Sequence, residues 1–167
     1  VVYANDRIQG RSLSGPKNPD GPADPIIVFP DVRRMLMMCR AFTEGARALH
    51  MWLSFLGTSL SKSSDDEAKK AAGEINNLLT PVIKGYLTDM GFNCTNAAMQ
   101  CFGGHGFIKE HGMEQFVRDS RINQIYEGAN GVQALDLVGR KVFANGMTGT
   151  NAYFKMISDE IAAAKGA

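Results

Sequence analysis

Apolar side chains recur at steps of three and four along two long stretches of this chain, and that period commits most of it to helix. Val32, Met35, Cys39, Phe42, Ala46, Leu49 and Leu53 fall on one stripe. Ile75, Leu79, Val82, Tyr86 and Met90 form a second, which continues past Gly91 to Ala97 and Cys101. Positions spaced this way share one side of a helix, so each stripe is expected to face a core. Pro30-Asp31 marks the first helix start, because a proline in the first turn gives up an N–H that had no partner there. Ser63-Ser64-Asp65-Asp66-Glu67 sets capping and acidic groups at the positive end of the second helix dipole. Pro81 lies inside that second run and is expected to bend it rather than end it.

The remaining segments are shorter. Val2 to Ile8 reads as the last turns of a helix, with Gly10 as a stop. Ser12 to Pro25 carries four prolines and two glycines, so a long loop is expected there. Gly103-Gly104-His105-Gly106 must break the second long helix, since each glycine costs roughly 1 kcal/mol inside one. A third helix is expected over Met113 to Arg121, and Val132, Leu135, Val138 and Val142 define a fourth. Strand-like alternation is nearly absent. Long helices with short connections predict an all-α fold, an antiparallel four-helix bundle, over residues 1–145. After Gly146 the pattern resets, so residues 146–167 are expected to form an extra helix that opens a further domain.

A chain of 167 residues can bury one sizeable core without metal or disulfide. With 18 basic and 17 acidic side chains the net charge is +1, which gives no broad field for nucleic acid or an anionic membrane. No apolar run approaches the roughly 20 residues a membrane helix needs, and no leader pattern opens the chain, so a soluble protein is expected. Cys39, Cys94 and Cys101 lack paired spacing and read as reduced core residues. The opening Val1-Val2-Tyr3 has no initiator methionine and is expected to belong to a longer polypeptide.

Two segments have compositions that packing alone does not call for: Gln100-Cys-Phe-Gly-Gly-His-Gly-Phe107 and Arg118-Asp-Ser-Arg-Ile-Asn-Gln-Ile-Tyr-Glu-Gly-Ala-Asn130. A glycine-rich turn can serve as a plain helix stop, or can let backbone N–H groups approach a phosphate unobstructed by Cβ. It does not complete G-x-G-x-x-G, because Lys109 stands at the last position. Glu127, flanked by Ile122, Ile125 and Tyr126, is expected to be partly desolvated, which strengthens a carboxylate as a proton acceptor. The other reading is a helix-start glutamate held by the dipole. His105 and His111 flank a turn and complete no recognised ligand pattern with Cys101, so no metal is expected. Arg118 and Asp119 are expected to form or join a structural ion pair near the site.

Together these segments resemble the acyl-CoA dehydrogenase family, whose carboxyl-terminal domain carries Q-x-x-G-G-x-G-[YF] followed by R-D-x-[RK]-I-x-x-I-Y-E-G-T. Gln100, Gly103, Gly104, Gly106 and Phe107 match the first part. Arg118, Asp119, Arg121, Ile122, Ile125, Tyr126, Glu127 and Gly128 match the second, and Tyr3-Ala-Asn-Asp-Arg7 resembles the family's Y-A-x-[ED]-R. The run Gly131 to Arg140 is similar to a bacterial branch that includes 3-methylmercaptopropionyl-CoA dehydrogenases. The family threonine after E-G is replaced by Ala129, which removes a hydroxyl bond to the cofactor worth roughly 0.5–1.5 kcal/mol.

The resemblance implies a catalytic role for Glu127, FAD contacts at Arg7, Gln100, Gly103, Gly104 and position 129, and acyl-CoA substrate contacts at Tyr126, Glu127 and Gly128. It also implies electron-transfer flavoprotein as the electron acceptor, a homodimer or homotetramer, and a bacterial cytoplasmic setting. An acyl-CoA oxidase and a non-catalytic helical assembly module are the alternatives.

Overall fold

The computed structural model describes residues 1–58 and 62–166, so Ala167, the end of the expected extra segment, lies outside the described residues. The fold is all-α, with no strand among the described residues. Among the described residues six α-helices follow in order: α1 Val2–Asp6, α2 Pro30–Thr58, α3 Asp66–Phe102, α4 Met113–Ile122, α5 Asn130–Asp136 and α6 Thr148–Lys165. Helix α2 starts on Pro30. Asp65 caps α3 by accepting hydrogen bonds from the N–H groups of Glu67 and Ala68, both at 3.0 Å. Pro81 lies within α3 without ending it. The short α1 stops at Asp6, ahead of the expected Gly10.

The chain divides into two compact units. The first comprises Val1–Gly45 and Asp89–Asn123. Its core gathers Ala4, Ile26, Val32, Met35, Ala97 and Cys101, so the stripes of α2 and α3 meet there as their periodicity requires. The three cysteines are free thiols. Burial, followed by the proximity of Cys39, pushes the Cys94 thiol up to about 11, and burial also raises that of Cys101. They are packing residues, and Cys39 Sγ donates to the Cys94 carbonyl at 3.5 Å.

The second unit comprises Ala46–Thr88 and Gln124–Ala167. Leu53, Leu56, Ala72, Ile75 and Leu79 form its core, and α6 packs Ala152, Tyr153 and Met156 against it. The fourth helix departs from expectation. After seven α-helical residues the chain makes a π turn over Leu137–Lys141, where Val142 N–H reaches back to the Leu137 carbonyl at 2.9 Å. That wider turn breaks the 3.6-residue period, and Val132, Leu135 and Val138 are 51%, 75% and 60% exposed rather than facing a core. Tyr86 on the α3 stripe is exposed as well.

The proline-rich segment is irregular, as expected, but it has its own centre. Asp24 has no exposed surface. Its carboxylate accepts hydrogen bonds from the N–H groups of Ser12 (2.8 Å), Lys17 (2.8 Å) and Asn18 (2.7 Å), and Arg11 Nη1 stands 3.4 Å away. The Ser12 N–H above all, then those of Asn18 and Lys17 and the Arg11 charge, hold this carboxyl below its usual range against the opposing effect of burial. The loop's stability is therefore expected to be full above the ordinary carboxyl range near pH 4 and lost as pH falls through the lower folded value. Asp24→Asn cannot accept at both oxygens, so it should loosen the loop at neutral pH. Amide exchange of residues 12–25 from pH 7 to pH 2 checks both, and an acid-insensitive loop would contradict the assignment.

Candidate functional site

The glycine segment is shaped by close packing. Helix α3 ends at Phe102, Gly103 takes a left-handed φ of 59°, and a tight turn runs over Gly103–Phe107. Gly106 is buried, and a Cβ there would collide with the Met99 carbonyl oxygen and lie 2.9 Å from Phe102 Cβ. Tyr3 of α1 stacks on Phe102 with ring centroids 4.0 Å apart. Its hydroxyl lies 3.2 Å from the Phe102 carbonyl, to which it donates, and 2.9 Å from His105 Nδ1. His105 and His111 stack on each other at 5.2 Å and belong to this aromatic cluster. Among the described residues no three His, Cys, Asp or Glu side chains come together to hold a metal.

Stapling α1 to the turn brings Arg7 to it. The Arg7 carbonyl accepts from Ile26 N–H at 2.9 Å, while Gln9 and Gly10 exchange backbone bonds with Asp24, so the Asp24-centred loop fixes this strand of chain. The result is an open cleft of about 760 Å³ lined by Arg7, Gln100, Gly103 and Gly104, with Phe29, Val32 and Phe102 as apolar wall. A Cβ built on Gly103 or Gly104 meets nothing within 4 Å, so the backbone of the turn faces open space. A guanidinium, an amide and bare glycine backbone at one cleft suit a pyrophosphate beside a flat ring. Phe29 was not singled out in the sequence; an aromatic residue directly before the helix-starting Pro30 was the available signal.

Tyr126, Glu127, Gly128 and Ala129 belong to the second unit, on the bend between α4 and α5. Glu127 has φ 51°, a left-handed conformation that costs a residue with a Cβ roughly 1–2 kcal/mol. Gly128 follows at φ 85°, and a Cβ there would meet Gln133 Nε2 at 2.5 Å. Strain of this kind persists only where the surroundings enforce it, and it gathers at functional sites. Two expectations fail here. The Glu127 side chain is exposed, since Ile125 and Tyr126 beside it are themselves 51% and 48% exposed and do not enclose it. Asp119 accepts from Gln115 Nε2 at 2.7 Å, one turn back on α4, rather than pairing with Arg118, which is exposed; successive positions on a helix do not face each other, whereas positions four apart do.

The glycine turn over its open cleft and the strained Glu127-Gly128 bend both fall within the part of the chain that a known family accounts for. The family model of the acyl-CoA dehydrogenase C-terminal domain matches residues 17–143, and the chain belongs to that family. It is 42% identical over 95% of its length to a 3-methylmercaptopropionyl-CoA dehydrogenase of Ruegeria pomeroyi, of which it covers 26%. A broad-specificity linear acyl-CoA dehydrogenase of Mycobacterium tuberculosis is 34% identical over 85% of the chain and 23% of that protein. A butyryl-CoA dehydrogenase of Syntrophomonas wolfei is 35% identical over 83% of the chain and 22% of that protein. The chain thus spans about a quarter of the length of these relatives.

Proposed function

We propose that the full-length protein carrying this chain dehydrogenates an acyl-CoA thioester to a trans-2-enoyl-CoA, with FAD as cofactor and Glu127 as base. The observation that carries the reading is the enforced left-handed backbone at Glu127, within a motif that matches the family's at all but the Ala129 position. A Glu127 carboxylate oxygen takes the α-proton, the Cα–Cβ double bond forms, and the β-hydrogen leaves with its electron pair. Bound FAD supplies the acceptor for that hydride. Among the described residues the Glu127 N–H has no acceptor, so it is free to donate to the thioester oxygen as negative charge grows there.

Arg7, Gln100, Gly103 and Gly104 would reach the dinucleotide part of a neighbouring subunit's FAD, position 129 would meet FAD without the hydroxyl bond, and Tyr126 and Gly128 would flank the acyl chain. Electron-transfer flavoprotein as acceptor, a homodimer or homotetramer, and a bacterial cytoplasmic location complete the proposal. It also keeps residues 146–167 as an added element opening a further domain. No helix among the described residues is long and apolar enough to cross a membrane.

The full-length protein is expected to purify with flavin, and its absorbance should bleach anaerobically with at least one acyl-CoA from a panel of chain lengths. Failure of every acyl-CoA to bleach bound flavin would point to a non-catalytic helical module, and rapid reoxidation of reduced flavin by oxygen would mark an oxidase. The 167-residue chain alone is expected to be inert in a dye-linked assay, because this chain leaves Glu127 open to water.

A further inference from the structure

The bend that carries Glu127 is tied to α3 through the side chain of Asn130. Asn130, the first residue of α5, closes the bend through its N–H, which donates to the Gln124 carbonyl at 3.1 Å. Its side chain then reaches α3. Asn130 Nδ2 donates to the Gly85 carbonyl at 3.2 Å and to Thr88 Oγ1 at 3.0 Å. Asn130 Oδ1 accepts from Lys84 Nζ at 3.0 Å. Thr88 is held in turn by donating to the Lys84 carbonyl at 2.7 Å. From the other side, Gln133 Nε2 donates to the Gly128 carbonyl at 3.3 Å.

All of these groups lie within the second unit, and Lys84 to Thr88 sit mid-way along an unbroken helix. Only a side chain with both a donor and an acceptor at this length can bond to the carbonyl, the hydroxyl and the ammonium together. The strained φ at Glu127 needs such a brace, because relaxation to a negative φ would swing the Cα–Cβ bond and re-aim the carboxylate.

We infer that Asn130 is a positioning residue for Glu127, locking the bend to α3 so that the carboxylate is presented at a fixed angle to the substrate α-carbon. This rests on Glu127 being the base. The test uses full-length, FAD-loaded protein and rapid anaerobic mixing with the acyl-CoA that bleaches the wild-type flavin fastest, as such and deuterated at the α-carbon.

Asn130→Ala should slow the bleaching step roughly 10–100-fold, the effect of a misplacement near an ångström. It should enlarge the α-deuterium isotope effect, leave substrate affinity and flavin content near wild type, and speed amide exchange over residues 124–130. Asn130→Asp keeps the acceptor for Lys84 and should recover part of the rate; Thr88→Val should show a smaller loss of the same kind. Selective slowing in those two variants supports the inference even if Asn130→Ala loses its flavin. Wild-type bleaching rates in the Asn130 and Thr88 variants, beside an inert Glu127→Gln, would overturn the positioning role and leave the base in place. Flavin loss without selective slowing in any variant would overturn it too, by reducing Asn130 to structural support. Wild-type bleaching in Glu127→Gln would overturn the base, and the inference with it.

Discussion

Glu127→Gln in the full-length protein is expected to retain FAD and lose roughly 10²–10⁴-fold in turnover, the range that a positioned general base contributes. The amide matches the carboxylate in shape and can sit in the same exposed bend, so neither the strained φ nor the packing of Gly128 against Gln133 needs to change. What it lacks is a basic oxygen to take the α-proton. Glu127→Asp should fall between the two, because it keeps the base but draws it back by one methylene. Glu127→Gly separates backbone from chemistry: glycine adopts φ 51° without the Cβ penalty, so the bend should be at least as stable while turnover stays at the level of the glutamine variant. Turnover with an electron-accepting dye, measured alongside flavin content, decides the matter. A glutamine variant that turns over at the wild-type rate would require another base, and the chain offers no obvious second candidate on this bend.

Some of this architecture is legible in the residues and some is not, and the division follows the range of the forces involved. Pro30 and Asp65 set helix starts through bonds within one turn, so their roles can be read locally. The stripes of α2 and α3 find their cores because burial acts on period alone. Arg7, Gln100, Gly103 and Gly104 were expected to share a task, and the structure brings them to one cleft. The buried Asp24 had no such signal: its satisfaction depends on three N–H groups of an irregular loop, and no periodicity marks that.

The environment of Glu127 and the outer face of α5 are not legible locally, for a different reason. Apolar neighbours in sequence imply enclosure, whereas Ile125, Val132 and Leu135 lie open in this chain. Enclosure is a property of whatever surrounds the bend, and the relatives have about three quarters of their length outside the region matched here. The π turn at Leu137–Lys141 adds to this, since a pattern at 3.6 residues per turn ceases to describe the chain after two turns of α5.

Gly106→Ala is expected to lower the melting temperature by several degrees and to cost the protein its flavin, although the substitution adds a single methyl. The new Cβ would collide with the Met99 carbonyl oxygen, which is committed backbone at the end of α3 and cannot rotate away as a flexible side chain would. Relief therefore requires the turn over Gly103–Phe107 to lift from the helix, at a cost of about 1–3 kcal/mol for overpacking a tight site. Lifting the turn moves His105 from the Tyr3 hydroxyl and disturbs the Tyr3–Phe102 stack, the contacts that carry α1 and hence Arg7 to the cleft. Cofactor affinity and stability should thus fall together in Gly106→Ala, while Gly104→Ala, where an added Cβ meets nothing within 4 Å, should spare the fold and affect flavin retention alone. Thermal unfolding and flavin-to-protein ratios for the two variants test the pairing. If Gly106→Ala melted with the wild type and kept its flavin, the tight turn could not be what holds the Arg7 side of the cleft against its glycine side.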